Sequence, residues 1–201
     1  MKYNQNELNN LNRKTRLILI NSLSGIKSAN LVGTISDSGI FNLAIISSVV
    51  HLSSSPATIG FILRPNTVRR DTYDNIVSNN VFTINSVTSS FVESAHQTSG
   101  KYPAEISEFD LCNIESYQID GFKAPFVLES PIKIGCTLKE VLPIKSSQTI
   151  LVVGEIMLVE ISDSLLAESY PDLSKTEIVG VSGLNSYYTL TKLKDLEYVR
   201  V

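Results

Sequence analysis

Residues Phe41 to Val87, FNLAIISSVVHLSSSPATIGFILRPNTVRRDTYDNIVSNNVFTINSV, constrain this chain more than any other stretch. Two apolar extended runs, Phe41–Ser47 and Ala57–Leu63, are separated by a break at Pro56. A polar loop, RPNTVRRDT, then opens a segment with helical spacing, Tyr73, Ile76 and Val77 on one face, that ends at Asn79-Asn80. Val81–Val87 alternates as a further strand. Neither a P-loop nor a Rossmann glycine fingerprint occurs in the chain. Arg64, Thr67, Arg69, Arg70 and Thr72 nevertheless put cations and hydroxyls beside the free amides of a helix start. That combination suits a phosphate monoester carried on a mostly β scaffold.

The remainder extends the β pattern. Leu31–Ser36 reads as a strand, and Asp37-Ser38-Gly39 as the hairpin turn leading into Phe41. Ser90 through Ala95 predicts a second short helix, followed by the polar run HQTSGKYP and an acidic turn near Glu105–Asp110. Pro125–Val141 is strand-rich. Ile150–Ile161 is a strand long enough to require a twist or bend near Gly154, and VGVSGLNSYYTL returns to β before a Gly/Asn turn. About eight β segments with one or two inserted helices favour a closed or half-closed barrel over a βαβ sheet. We expect residues 1–12 to be a flexible N-terminal arm and 13–201 one domain.

Composition narrows the function. A net charge of −3 argues against a nucleic-acid binder. No apolar run reaches the roughly 18–20 residues of a membrane helix, and the Asn-rich N-terminus lacks the apolar core of a secretory leader. A cytoplasmic protein is expected. Apolar residues make up 43% of the chain against 18% charged, which hints at surface buried in an oligomer. Cys112 and Cys136 have no CxxC spacing and read as reduced thiols, Cys136 on a buried strand. With two histidines, no metal site is expected. No Ser–His–Asp arrangement is legible, His51 reads as a turn residue, and Glu105, Glu108 and Asp110 crowd one turn. No catalytic residue is assigned.

The order of several phrases resembles the flavin reductase-like, FMN-binding split-barrel family. These are Asn42-Leu43-Ala44, Ser47-Ser48, Pro56, Arg70-Asp71-Thr72, Asn75-Ile76 and Phe82-Thr83-Ile84-Asn85. INSLSGIKSANLVGT at 20–34, AHQTSGKYP at 95–103, SEFD at 107–110, APFVLES at 124–130 and SGLNSYY at 182–188 add to the set. The resemblance covers about residues 16 to 190. It implies a mainly β chain with short helices folded as an FMN-binding split β-barrel, and a homodimer with FMN near the subunit interface. It also implies NADH or NADPH as donor, hydride transfer to the flavin, and a free flavin or other electron acceptor. The alternative is an FMN-carrying electron-transfer flavoprotein, flavoredoxin-like, that serves a partner protein. Cytoplasmic location and no nucleic-acid or membrane partner complete the expectation.

Arg64, Thr67, Arg70 and Thr72 are then the candidate phosphate ligands. Thr72 has a second reading, as helix N-cap, and Asp71 is better suited to orienting an arginine than to meeting an anion. Asn42, Ser47, Ser48 and Val49 are the candidate ring contacts, largely through backbone groups. His96, Gln97, Thr98 and Ser99 either line the flavin edge or nicotinamide pocket, or simply finish a helix, with His96 complementing its dipole. Tyr188 is core, interface or a cover for the ring.

Overall fold

A computed structural model describes residues 1–64, 69–167 and 170–199. In chain order the helices are α1 (Gln5–Asn10), α2 (Arg13–Ser22), α3 (Asp71–Asn79), α4 (Val92–Gln97) and α5 (Glu108–Leu111). The strands are β1 (Lys27–Ser28), β2 (Asn30–Ile35), β3 (Phe41–Ile46), β4 (Val50–Ser54), β5 (Ala57–Leu63), β6 (Val81–Ser86), β7 (Ser116–Tyr117), β8 (Phe126–Val127), β9 (Ile132–Ile144) and β10 (Thr149–Ile161). Four shorter ones follow: β11 (Leu166–Ala167), β12 (Tyr170–Pro171), β13 (Val179–Ser182) and β14 (Ser186–Thr189).

Seven strands pair in the order β3-β2-β6-β9-β10-β5-β4, every pair antiparallel. β3 and β4 stand at opposite ends of that order, yet only residues 47–49 separate them. Three residues span roughly 10–13 Å with their flanking bonds, so the sheet must curl until its ends meet. Ser48 fastens the seam. Its hydroxyl donates to the Ile62 carbonyl at 2.9 Å and accepts from the Ile62 N–H at 3.0 Å, beyond the last β4–β5 pair. The mainly β, split-barrel architecture expected from the sequence is what the chain adopts.

Two apolar clusters lie on the two sides of β2, whose six residues are all buried. Val32, Phe61, Ile76, Phe82, Ile84, Cys136 and Val152 fill the barrel, with Phe61 and Phe82 meeting edge-on at 5.6 Å. Leu31 and Leu43 face outward against Ala95, Phe109, Cys112, Val179 and Val181. α4, α5 and the β1-β13-β14 sheet thus cover the outside of β2 and β3. The bend expected in β10 is there: its pairing with β9 shifts at Val153/Gly154, where a Cβ on Gly154 would strike the Phe82 ring. Both cysteines are free and buried.

Some local expectations differ. α2, which the strand-based reading of the sequence did not mark, is capped by Asn12, and α1 begins with an Asn4/Glu7 capping box. Neither helix buries a residue. The tail forms a hairpin, β13–β14, turned at Gly183 (φ 64°). No helix among the described residues is long and apolar enough to cross a membrane.

Candidate functional site

The start of α3 carries the first half of the site. Its N-cap residue is Arg70, with extended backbone (φ −139°), and no side chain caps the helix among the described residues. Thr72 is therefore not the cap. It is the second helical residue, 7% exposed, and its hydroxyl donates to Asn42 Oδ1 at 3.0 Å. Asp71 pairs with Arg69, carboxylate to Nε 2.8 Å, so it orients an arginine. Arg64 is exposed at the end of β5. Thr67 lies outside the described residues.

Asn42, on β3, joins this helix start to the barrel edge. Its Oδ1 also accepts from the Thr34 hydroxyl at 3.2 Å, and Thr34 in turn accepts from Asn75 Nδ2 at 3.1 Å. Its Nδ2 donates to Glu108 Oε2 at 2.8 Å, and the same oxygen accepts from the Leu43 N–H at 2.9 Å. Burial raises the Glu108 acid above its ordinary range. Three hydrogen bonds oppose that rise, from the Leu43 N–H, its own backbone N–H and the Asn42 amide, and the nearby Asp71 charge adds to it. Ser47, Ser48 and Val49 form the half-buried crossing from β3 to β4.

The 96–99 run divides. His96 Nδ1 meets the Tyr187 hydroxyl at 2.9 Å, their rings edge-on at 5.7 Å. Thr98 is buried and returns its hydroxyl to the Ala95 carbonyl, the Gln97 carbonyl accepts from Tyr102, and Ser99 is exposed. Tyr188, beside Tyr187 on β14, is 45% exposed.

The structure thus brings Asn42 and Thr72 into direct contact, with Ser47–Val49 at the end of the same strand. Glu108, Thr34, Asn75 and Tyr187 were not among the sequence candidates. Each stood in a phrase of the family resemblance (Thr34 in INSLSGIKSANLVGT, Asn75 in Asn75-Ile76, Glu108 in SEFD, Tyr187 in SGLNSYY), but the phrases do not reveal which side chains meet, and crowding with Glu105 and Asp110 hid the separate role of Glu108. Among the described residues no group of three or more metal-ligating side chains assembles.

The fold defines a split-barrel protein with arginines at the start of α3. Comparison gives the family. The flavin reductase like domain matches residues 26–174, and the chain belongs to that family, in class a flavin-linked oxidoreductase. A candidate flavin reductase with split barrel domain from Shewanella frigidimarina NCIMB 400 is 40% identical, with a TM-score of 0.94 over 99% of this chain and 100% of that one. Nitrilotriacetate monooxygenase component B from Bacillus cereus superposes with a TM-score of 0.86 at 19% identity, covering 98% of each chain. Flavoredoxin of Desulfovibrio vulgaris (Miyazaki F) does so at 0.77 and 22% identity, again over 98% of each. These last two share the fold.

Proposed function

We propose that the chain is an FMN-dependent oxidoreductase that takes a hydride from NADH or NADPH, a flavin reductase in the broad sense. The observation that carries this reading is the start of α3: an arginine at the cap position, no described side chain capping the helix, and Arg69 beside it, paired with Asp71. Helix amides and guanidinium groups together match a phosphate monoester. The donor set therefore fits FMN. Arg64, Arg70 and the first-turn amides around Thr72 hold the phosphate. Asn42 and the Ser47–Val49 crossing hold the ring, and His96, Gln97 and Ser99 border the place of the nicotinamide.

Bound FMN supplies the two-electron chemistry, passing electrons from the nicotinamide to a flavin, quinone or ferric acceptor. The protein supplies position. The seam at Ser48 fixes the β3–β4 crossing on β5, so the groups that meet the ring are held by a closed barrel rather than a loose loop.

The reading includes a homodimer. α2 exposes Leu17, Ile18 and Ile20, and the C-terminal arm exposes Leu193, Leu196, Tyr198 and Val199. Apolar side chains in such number on two terminal segments suit contact with a second copy.

Anaerobic mixing of the purified protein with FMN and each nicotinamide tests the proposal, read as bleaching of the flavin band. Sedimentation of the same sample should show a dimer at micromolar concentration. Bound flavin that neither donor bleaches overturns the reductase reading and moves the protein to the electron carriers. Absence of FMN binding overturns both.

A further inference from the structure

We propose that Glu108 is the positioning residue of the flavin site, acting through Asn42 on Thr72, so that the β3 edge and the first turn of α3 grip the cofactor as one unit. This rests on the flavin reading above.

Glu108 lies 65 positions from Leu43 in the chain, yet its Oε2 takes both the Leu43 N–H and the Asn42 amide. β3 is an edge strand, paired only with β2 in the barrel sheet. The carboxylate therefore substitutes, at one point, for a missing neighbouring strand. A buried acid is an expensive way to satisfy one backbone N–H, and the second bond shows what the arrangement adds. An ionised carboxylate can only accept, so Asn42 must turn Nδ2 toward Glu108 and Oδ1 toward Thr34 and Thr72.

The donors then run in one direction. Asn75 Nδ2 donates to the Thr34 hydroxyl, Thr34 and Thr72 both donate to Asn42 Oδ1, and Asn42 Nδ2 donates to Glu108. Each bond is polarised by the charge at its end. Without the carboxylate, nothing in the network distinguishes the two faces of the Asn42 amide. A flip of that amide would make Thr72 an acceptor where it is now a donor, in the turn that seats the phosphate. Glu108 thereby acts on the phosphate end of the site through two intervening side chains.

FMN titrations of the full chain, followed by flavin fluorescence and by the visible circular dichroism of the bound ring, test this. Wild type, E108Q, E108A, N42A and the double variant E108A/N42A are compared. Glutamine keeps an acceptor for both donors, so E108Q should bind within about threefold of wild type and keep its dichroism. E108A should weaken FMN about tenfold or more and alter the dichroism. In the N42A background, E108A should add less than about twofold, because the two residues share one route. Thermal melts of the apo variants separate lost affinity from lost fold, and E108L replaces E108A if alanine melts below the assay temperature. Wild-type affinity in E108A or E108L, or a full additional loss in the N42A background, overturns the proposal. Wild type that binds no FMN overturns the flavin reading and this one with it.

Discussion

Asn85 and Asn42 occupy the two strands that flank β2, and each amide makes three hydrogen bonds, but they are not doing the same job. Asn85 on β6 is fully buried. It donates to the Leu31 carbonyl and the Thr83 hydroxyl and accepts from the Val127 N–H. Thr83 in turn donates to the Pro125 carbonyl at 2.6 Å. These partners are mostly backbone, so the network bolts the 124–130 segment across the barrel. Gly33 leaves room for it, since a Cβ there would lie on the Pro125 carbonyl. Asn42 on β3 is half-buried, and its partners are side chains, two hydroxyls and a carboxylate. Backbone partners cannot turn away, whereas side-chain partners can. The first network holds the fold; the second holds an orientation.

The largest effect that sharpens this contrast is on stability. Asn85→Ala removes the side-chain bonds to the Leu31 carbonyl and the Val127 N–H, both on fully buried residues, and should cost about 3 kcal/mol in urea unfolding. Asn42→Ala should cost less, about 1 kcal/mol, because two of its buried partners keep another bond, Thr34 with Asn75 Nδ2 and Glu108 with the Leu43 N–H. Equal losses would erase the distinction between the two asparagines.

The same two residues show how far the sequence could be read. Both stood in phrases that resemble the family, FTIN and NLA, and neither phrase reveals which amide is bolted to backbone. Ala57–Leu63 was legible to the residue because Pro56 and an apolar run bound it, and the β10 bend because a glycine interrupts a strand too long to stay straight. The second reading of Thr72, as the cap of α3, does not hold, since the helix begins at Asp71 with Arg70 at the cap position. Thr72 has the right side chain for a cap, but a partner 30 residues away, Asn42, takes its hydroxyl. α1 and α2 were hidden because neither has a buried face to give a pattern. The role of Glu108 depends on contacts across more than 60 positions, which local spacing does not encode. Barrel closure was expected from strand spacing, but its strand order emerges only when β3 and β4 meet.

A smaller effect separates the networks by pH. The Asn85 network contains no acid, whereas the Asn42 network ends on one. Burial raises Glu108 above its ordinary 4.5, so the folded state holds that proton more tightly than the unfolded chain does. The stabilisation is fully present below about 4.5 and is lost as pH rises through the raised value. Urea unfolding of wild type and E108Q from pH 4 to 8 should therefore show wild type gaining on the variant as the solution is acidified. A difference that stays flat, or grows toward neutral pH, would mean that the donated bonds outweigh burial.

The smallest expected effect concerns the thiols, one beside each apolar cluster. Cys136 faces the barrel interior, and burial pushes its thiol up to about 12. Cys112 follows α5, and its thiol is raised by burial first and by the Glu108 charge second, with the Tyr102 hydroxyl pulling the other way. Only the thiolate reacts, so both should alkylate slowly in the native protein. E108Q removes one of the two causes at Cys112 and none at Cys136. Peptide mapping after brief alkylation near pH 8.5 should then show Cys112 labelled about two- to threefold faster in E108Q, with Cys136 unchanged. Equal acceleration at both sites would signal general loosening of the fold, and would remove the claim that the carboxylate acts locally on its own cluster.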